Sequence, residues 1–342
     1  MNKFSIAIGF IFLTLLAGCG SSPKHSNAMQ IDPTLHTTSK NDYLGNESKL
    51  IELPQNYSTK NYKRLVVSTW FFPNENTKDY GNLPVGSLST VMETEISKLK
   101  RFTIVSRHLG QKGKMAEKSF QDMGTTERHT KMRFGKALNA DYSLSGGISA
   151  TKEEYERVNK NELLYIVRVD YQIVDNETDE IIEADTAEGR AKRTLIRLPS
   201  GKIIGGFDPR QGQADAIQQA AINALRVVAN KLGNKLPIGG QVVGFKGKRF
   251  QIDKGYEEGF MGKQVVTLYT EDMGIDLAFA VGEVMPGDHK TPGRIIRWSN
   301  DPDVQDIIHD VKSDPLFFKK NELYAVSNGM PLPPEWDNNY RD

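Results

Sequence analysis

The spacing of apolar residues divides the chain into a leader, a polar arm and two folded units. Residues 4–16 form an apolar run broken only by Ser5, Gly9 and Thr14, with Lys3 ahead of it. The run falls short of the ~20 apolar residues of a membrane-spanning helix and has the charge and length of a secretory signal. Residues 20–62 are rich in Ser, Thr, Asn, Lys and Pro and carry no sustained apolar period. This composition predicts a mostly disordered tether with a mean reach of roughly 35–40 Å. The alternative is that the stretch from Tyr43 to Tyr57 packs along the next domain.

Residues 63–235 alternate between β and α patterns. Leu65-Val66-Val67-Ser68-Thr69-Trp70-Phe71-Phe72, ended by Pro73 and Asn74, reads as a strand buried on both faces, with Trp70, Phe71 and Phe72 in the core. Leu88, Val91, Met92, Ile96 and Leu99 recur at helical spacing. A surface turn at 98–101 then leads into the strand Phe102-Thr103-Ile104-Val105. Two weaker helical patterns cover 112–123 and 128–139, and 142–149 reads as a strand containing Gly146-Gly147. The arms 162–174 and 180–192 flank Asp175-Asn176-Glu177-Thr178-Asp179, a hairpin signal, with clean alternation from Val169 onward. Ala214, Ile217, Ala221, Leu225, Val228 and Leu232 then mark an amphipathic helix that closes the domain against its sheet.

After Pro237-Ile238-Gly239-Gly240 the pattern changes. Short β-prone runs at 242–243, 250–252, 265–269, 277–281, 294–296 and 323–326 are separated by Gly, Pro, Asp and Asn. They predict a small barrel or sandwich. The expected organisation is therefore a signal peptide (1–18), a lipidated tether (19–62), an α/β domain (63–236), a small all-β domain (237–330) and an irregular tail (331–342).

Composition narrows the function classes. Lys and Arg number 44 against 43 Asp and Glu, so the chain lacks the basic excess of a nucleic-acid binder. A single cysteine rules out an intramolecular disulfide, a CxxC redox pair and a thiolate zinc site. That cysteine ends Leu16-Ala17-Gly18-Cys19, which resembles the bacterial lipobox. Small residues admit the backbone to a signal-peptidase cleft, and the thiol takes up a diacylglycerol. Two or three acyl chains, at ~0.8 kcal/mol per buried methylene, give stable anchoring. Gly20 and Ser21 follow, with no adjacent aspartate, which favours the inner leaflet of the outer membrane under the sorting pattern of enteric bacteria.

The chain contains no GxSxG, HExxH, P-loop or GxGxxG motif. His108 and His129 sit beside arginines and read as solvated. His289 belongs to a turn, and His309, between Asp306 and Asp310, reads as a capped loop. The acidic groups Glu153-Glu154-Glu156 and Asp175/Glu177/Asp179/Glu180 could supply paired carboxylates for glycoside hydrolysis but lie in turns with no sugar platform nearby. No catalytic residue, metal or cofactor is expected. Trp298, Phe317 and Phe318 stand in loop-like surroundings, as partner anchors or as barrel filling.

One stretch of the first unit has a family look. The strand ending Trp70-Phe71-Phe72-Pro73, the helix that follows it, Arg101-Phe102-Thr103-Ile104-Val105-Ser106-Arg107, a Glu117-bearing helix, and residues 135–146 (GKALNADYSLSG) occur in an order that resembles the CsgG-like family. That family includes the curli-secretion lipoprotein and relatives with the fold of the TolB N-terminal domain. The resemblance covers about 63–235 and implies a three-layer α+β or α/β domain. Residues 239–269 resemble the SH3-like barrel of flagellar assembly protein T. Pore-forming members insert long hairpins into the membrane, whereas 149–162 here is short and charged. The second candidate hairpin, Thr194–Phe207, has arms of five or six residues bearing Arg197 and Lys202, which are costly on a lipid face.

The expectation is a non-catalytic outer-membrane lipoprotein with its body in the periplasm. It would serve as a scaffold for an envelope machine (a secretion system, a flagellar basal structure or a cell-wall synthase complex). Its partners would be the membrane, through Cys19, and envelope proteins, a second copy of the chain among them. The alternatives are a ring-forming secretion channel of the curli type and, more remotely, an envelope hydrolase.

Overall fold

The computed structural model describes residues 35, 38–44, 50–55, 57, 66–73, 85–106, 140–157, 160–197, 200, 203–204, 209–314, 316–333 and 336. The signal segment, Cys19 and the helical patterns at 112–123 and 128–139 lie outside these residues, as do His108, His129 and the side chains of Trp70, Phe71 and Phe72.

A six-stranded mixed sheet carries the first unit. Strands β1 (Val66–Pro73), β2 (Thr103–Ser106), β3 (Tyr142–Arg157), β4 (Lys160–Asp175), β5 (Ile181–Arg197) and β6 (Ile203–Ile204) lie in the order β2-β1-β3-β4-β5-β6. Strand β1 runs parallel to both neighbours, and β3 through β6 pair antiparallel. Helix α1 (Val85–Lys98) buries Leu88, Met92 and Ile96, spaced every four residues, so one stripe faces the core. Helix α2 (Pro209–Lys235) buries Ile217, Ala221, Leu225, Val228 and Leu232 against β4, β5 and α1. Among the described residues the unit thus has two layers, a sheet and one helical layer.

Helix α2 lies very close to β5. A Cβ on Gly189 would be driven into the Ala220 carbonyl oxygen and the Ala224 nitrogen and would lie 2.9 Å from the Asn223 carbonyl carbon. Glycine opposite Ala220, Ala221 and Ala224 makes this approach possible. The buried pair Arg226 Nε–Glu95 Oε2, at 3.0 Å, ties α2 to α1, and Lys98 approaches the other Glu95 oxygen at 2.5 Å.

The second unit is a closed six-stranded barrel. Strands β7 (Gly239–Lys246), β8 (Arg249–Ile252), β9 (Gln264–Asp272), β10 (Ile275–Val284), β11 (Thr291–Trp298) and β12 (Leu323–Ser327) close in the order β10-β11-β8-β7-β12-β9. Each of the six β-prone sequence runs falls in one of these strands. Phe250 fills the interior: its ring lies in a slot left by Gly282 and Gly293, where any Cβ would strike it. Helices α3 (Gln305–Ser313) and α4 (Phe317–Lys320) pack on the same core through Ile308, Val311, Phe317 and Phe318. His309 is therefore an exposed helical residue and not part of a capped loop.

Two readings of the sequence give way. Over its described residues the arm is not a free tether but packs on the folded body, as the alternative for Tyr43 to Tyr57 expected, with the barrel as the surface it meets. Tyr43 is 4% exposed, packs with Val265 and Val281 of the barrel, and has the Arg297 guanidinium 5.6 Å from its ring centroid. Tyr57 packs edge-on to Tyr269 and donates its hydroxyl to Asp276 at 2.6 Å. In the tail, Trp336 is 3% exposed within the core of the first unit, under the Arg226 guanidinium. Arg101, read as part of a surface turn, is also 3% exposed. Helix α1 ends as Lys100 adopts a left-handed φ of 54°, and that reversal turns Arg101 inward.

Candidate partner-binding surface

Among the described residues, no group of three or more His, Cys, Asp or Glu is placed to hold a metal ion. The acidic groups considered for hydrolysis are dispersed. Glu153 and Glu154 are exposed on β3, where successive side chains point to opposite faces. Asp175 turns back on its own loop, accepting from the nitrogens of Glu177 at 2.8 Å and Thr178 at 3.2 Å. Glu177, Asp179 and Glu180 are exposed at the hairpin tip. His289 is paired in its turn with Glu257, at 3.2 Å.

The three aromatic candidates serve the barrel. Trp298 stacks with Phe279 and tilts against Phe245, each with ring centroids 6.4 Å apart, and the Lys312 ammonium lies 4.7 Å over its ring. Phe317 and Phe318 are half-buried on the same cluster. Trp298 ends β11 and Phe317 and Phe318 open α4, so none of the three lies in a loop, and each packs on the barrel core while staying partly exposed.

The strongest convergence of elements is the junction between the two units. The Arg101 guanidinium donates to the Gly233 carbonyl at the end of α2 and to the Ser327 hydroxyl of β12, which also accepts from the Ile238 nitrogen at 2.9 Å. Both acceptors are neutral, and among the described residues Arg101 Nε has no partner. Burial pulls its pKa below the usual guanidinium range to about 9, so the group stays a cation at neutral pH. Gly259, at φ 104°, presses on the Arg101 backbone, where a Cβ would lie 2.8 Å from the Arg101 Cα. Met330 donates its backbone N–H to Asn234 at 2.9 Å, and Met261, Met330 and Trp336 extend the sheet unit's core into the barrel unit.

Beside the junction runs a groove of about 390 Å³, lined by Thr38 and Pro54 of the arm, Glu183 of β5, Lys231 and Lys235 of α2, and Asn328. Its charges are satisfied internally. Lys235 meets Glu183 at 2.7 Å, and Lys231 holds Asp185, whose carboxyl is drawn below its usual range chiefly by that hydrogen bond. The groove therefore offers little net charge to a ligand.

Strands β3 and β4 remain paired to their ends, Arg157 opposite Lys160, so the ribbon is longer than the sequence pattern suggests. No helix among the described residues is long and apolar enough to cross a membrane. In the ribbon's outer part β3 carries Lys152, Glu153 and Glu154 on alternating faces, while β4 opposite buries Leu163 and Tyr165 in the sheet unit's core.

Over residues 55–181 the sequence is similar to the family described as peptidoglycan-synthase activator LpoB. No curated relative matches the sequence. Solved structures similar to the chain include a neuraminyllactose-binding hemagglutinin homolog from Helicobacter pylori, at 13% identity over 54% of this chain and 96% of that one, with a TM-score of 0.30. A minor lipoprotein from Acinetobacter baumannii is 12% identical over 49% and 89%, with a TM-score of 0.26. A lipoprotein from Caulobacter crescentus is 13% identical over 48% and 86%, with a TM-score of 0.25. Likenesses this loose fix no function.

Proposed function

We propose that the chain is a non-catalytic outer-membrane lipoprotein whose periplasmic body binds and activates a peptidoglycan synthase. The observation that carries this reading is the similarity over residues 55–181 to the activator family. That segment supplies β1, α1, β2, β3 and β4, most of the sheet unit. Dispersed acidic groups and a barrel filled by its own aromatics fit a protein that acts by binding. In this reading Cys19 carries the lipid, the residues after it reach from the membrane, and Tyr43 and Tyr57 tie the arm to the barrel. The sheet unit takes a three-layer CsgG-like arrangement of the TolB N-terminal kind. Anchoring confines the body near its target and raises the effective concentration of the pair, up to the millimolar range for short linkers.

The test is made in cells. Cys19→Ser should release the body from outer-membrane fractions and lower its crosslinking to a peptidoglycan synthase by tenfold or more. A variant that stays membrane-bound, or a wild-type chain that crosslinks to no synthase, overturns the reading.

A further inference from the structure

Strands β9 and β10 are joined by only two residues, Met273 and Gly274, with Asp272 and Ile275 as the last paired positions. Both loop residues have positive φ, 51° and 81°, the mirror-image turn that suits a tight hairpin. Asparagine or glycine is the ordinary first residue of such a turn, because a Cβ-bearing side chain is strained in the left-handed region. Here that position holds a methionine that is 95% exposed, beside Ile275 at 63%. An apolar side chain in water at a strained position does nothing for the fold.

We propose that this tip is the barrel's docking element, and that Met273 and Ile275 enter an apolar socket on the protein partner whose rim carries lysine or arginine. The charge around the tip selects that chemistry. Glu271 and Asp272 precede the methionine, Asp276 follows, and no lysine or arginine occurs between Lys263 and Lys290. A carboxylate-rich tip is repelled by an anionic lipid surface and drawn to a basic rim. Methionine, unbranched and polarisable, adapts to an irregular socket. The partner in question is the synthase of the reading above, on which this inference rests.

Met273→Asn separates a docking role from a structural one, since Asn-Gly is the preferred sequence for this turn. The full chain and the variant are titrated against the purified synthase, and their thermal unfolding is compared. Expected are an unchanged or higher Tm and binding at least tenfold weaker, with a similar loss for the double substitution Glu271→Lys and Asp272→Lys. Equal binding by wild type and Met273→Asn overturns the docking role and leaves the functional reading standing. A wild-type chain that fails to bind the synthase overturns both. Two other outcomes overturn the protein socket: wild type but not variant binding vesicles of phosphatidylglycerol and phosphatidylethanolamine, or the variant changing only the oligomeric state.

Discussion

Gly189→Ala should lower the stability of the sheet unit by about 3 kcal/mol or more, a fall of roughly 10 °C in Tm at about 2–4 °C per kcal/mol. The added methyl meets backbone on two sides, the Ala220 carbonyl and the Ala224 nitrogen, and neither can swing away. Relief requires α2 to lift from β5, which opens the contacts of Ala220, Ala221, Ala224 and Leu225, all at most 1% exposed. Gly247→Ala is the control, because that glycine has φ 62° with nothing within 4 Å of a built Cβ. Its loss is the left-handed backbone cost alone, about 1–2 kcal/mol. Differential scanning calorimetry of the two variants checks the ranking, and equal losses would mean that α2 is not held at the distance described.

Arg101 gives the second large effect, and magnitudes decide its direction. A pKa drawn from the usual guanidinium range down to about 9 corresponds to roughly 5 kcal/mol against the charged form at 1.36 kcal/mol per unit. Two hydrogen bonds from a charged donor return about 3–6 kcal/mol. The two nearly cancel, so Arg101→Met, which keeps volume and removes charge, should change stability by no more than about 2 kcal/mol. Arg101→Ala leaves a cavity and strips the Gly233 carbonyl and the Ser327 hydroxyl of a donor, for a loss of about 3 kcal/mol. Because these groups join α2 to β12, the alanine variant should also separate one unfolding transition into two.

The same residue sets an alkaline signature. Above about pH 9 burial favours release of the Arg101 proton from the folded chain, while the unfolded chain holds it to higher pH. Stability contributed by this group therefore rises with pH in that window, by up to about 1.4 kcal/mol per unit. Tyr171 is raised chiefly by burial and works the other way, but it is present in both chains and cancels in the difference. Denaturant unfolding from pH 8 to 10.5 should show wild type gaining on Arg101→Met above pH 9. Parallel curves would show that the guanidinium is paired in solution.

What the sequence made legible was whatever is stabilised by burying one regular face. The six runs of the barrel and the stripe Ile217–Ala221–Leu225–Val228–Leu232 stand out because side chains repeat toward a core. Helix α3 and the turn that leads into it carry the same signal in Val304, Ile308 and Val311, and reading the aspartates as loop chemistry hid it. The outer part of β4 is paired on both sides and buries Leu163 and Tyr165, but β3 opposite it carries Lys152, Glu153 and Glu154, so no clean alternation announces the ribbon. The arm and tail dock through scattered residues, among them Tyr43, Ile51, Tyr57, Leu332 and Trp336, which have no period to detect. Arg101 lies beyond sequence reasoning, because a charged residue beside Lys98 and Lys100 reads as solvated until a distant β12 closes over it. Met273-Gly274 was visible as letters, but its exposure and turn geometry appear only in the folded hairpin.

The central claim is activation by binding. It is tested by measuring glycan-chain polymerisation from lipid-linked precursor by a purified peptidoglycan synthase, with and without the chain, and by the chain alone. The account predicts a several-fold faster rate that saturates with added chain, and no polymerisation or glycan cleavage by the chain alone. An unchanged synthase rate, or turnover by the chain without synthase, would contradict it.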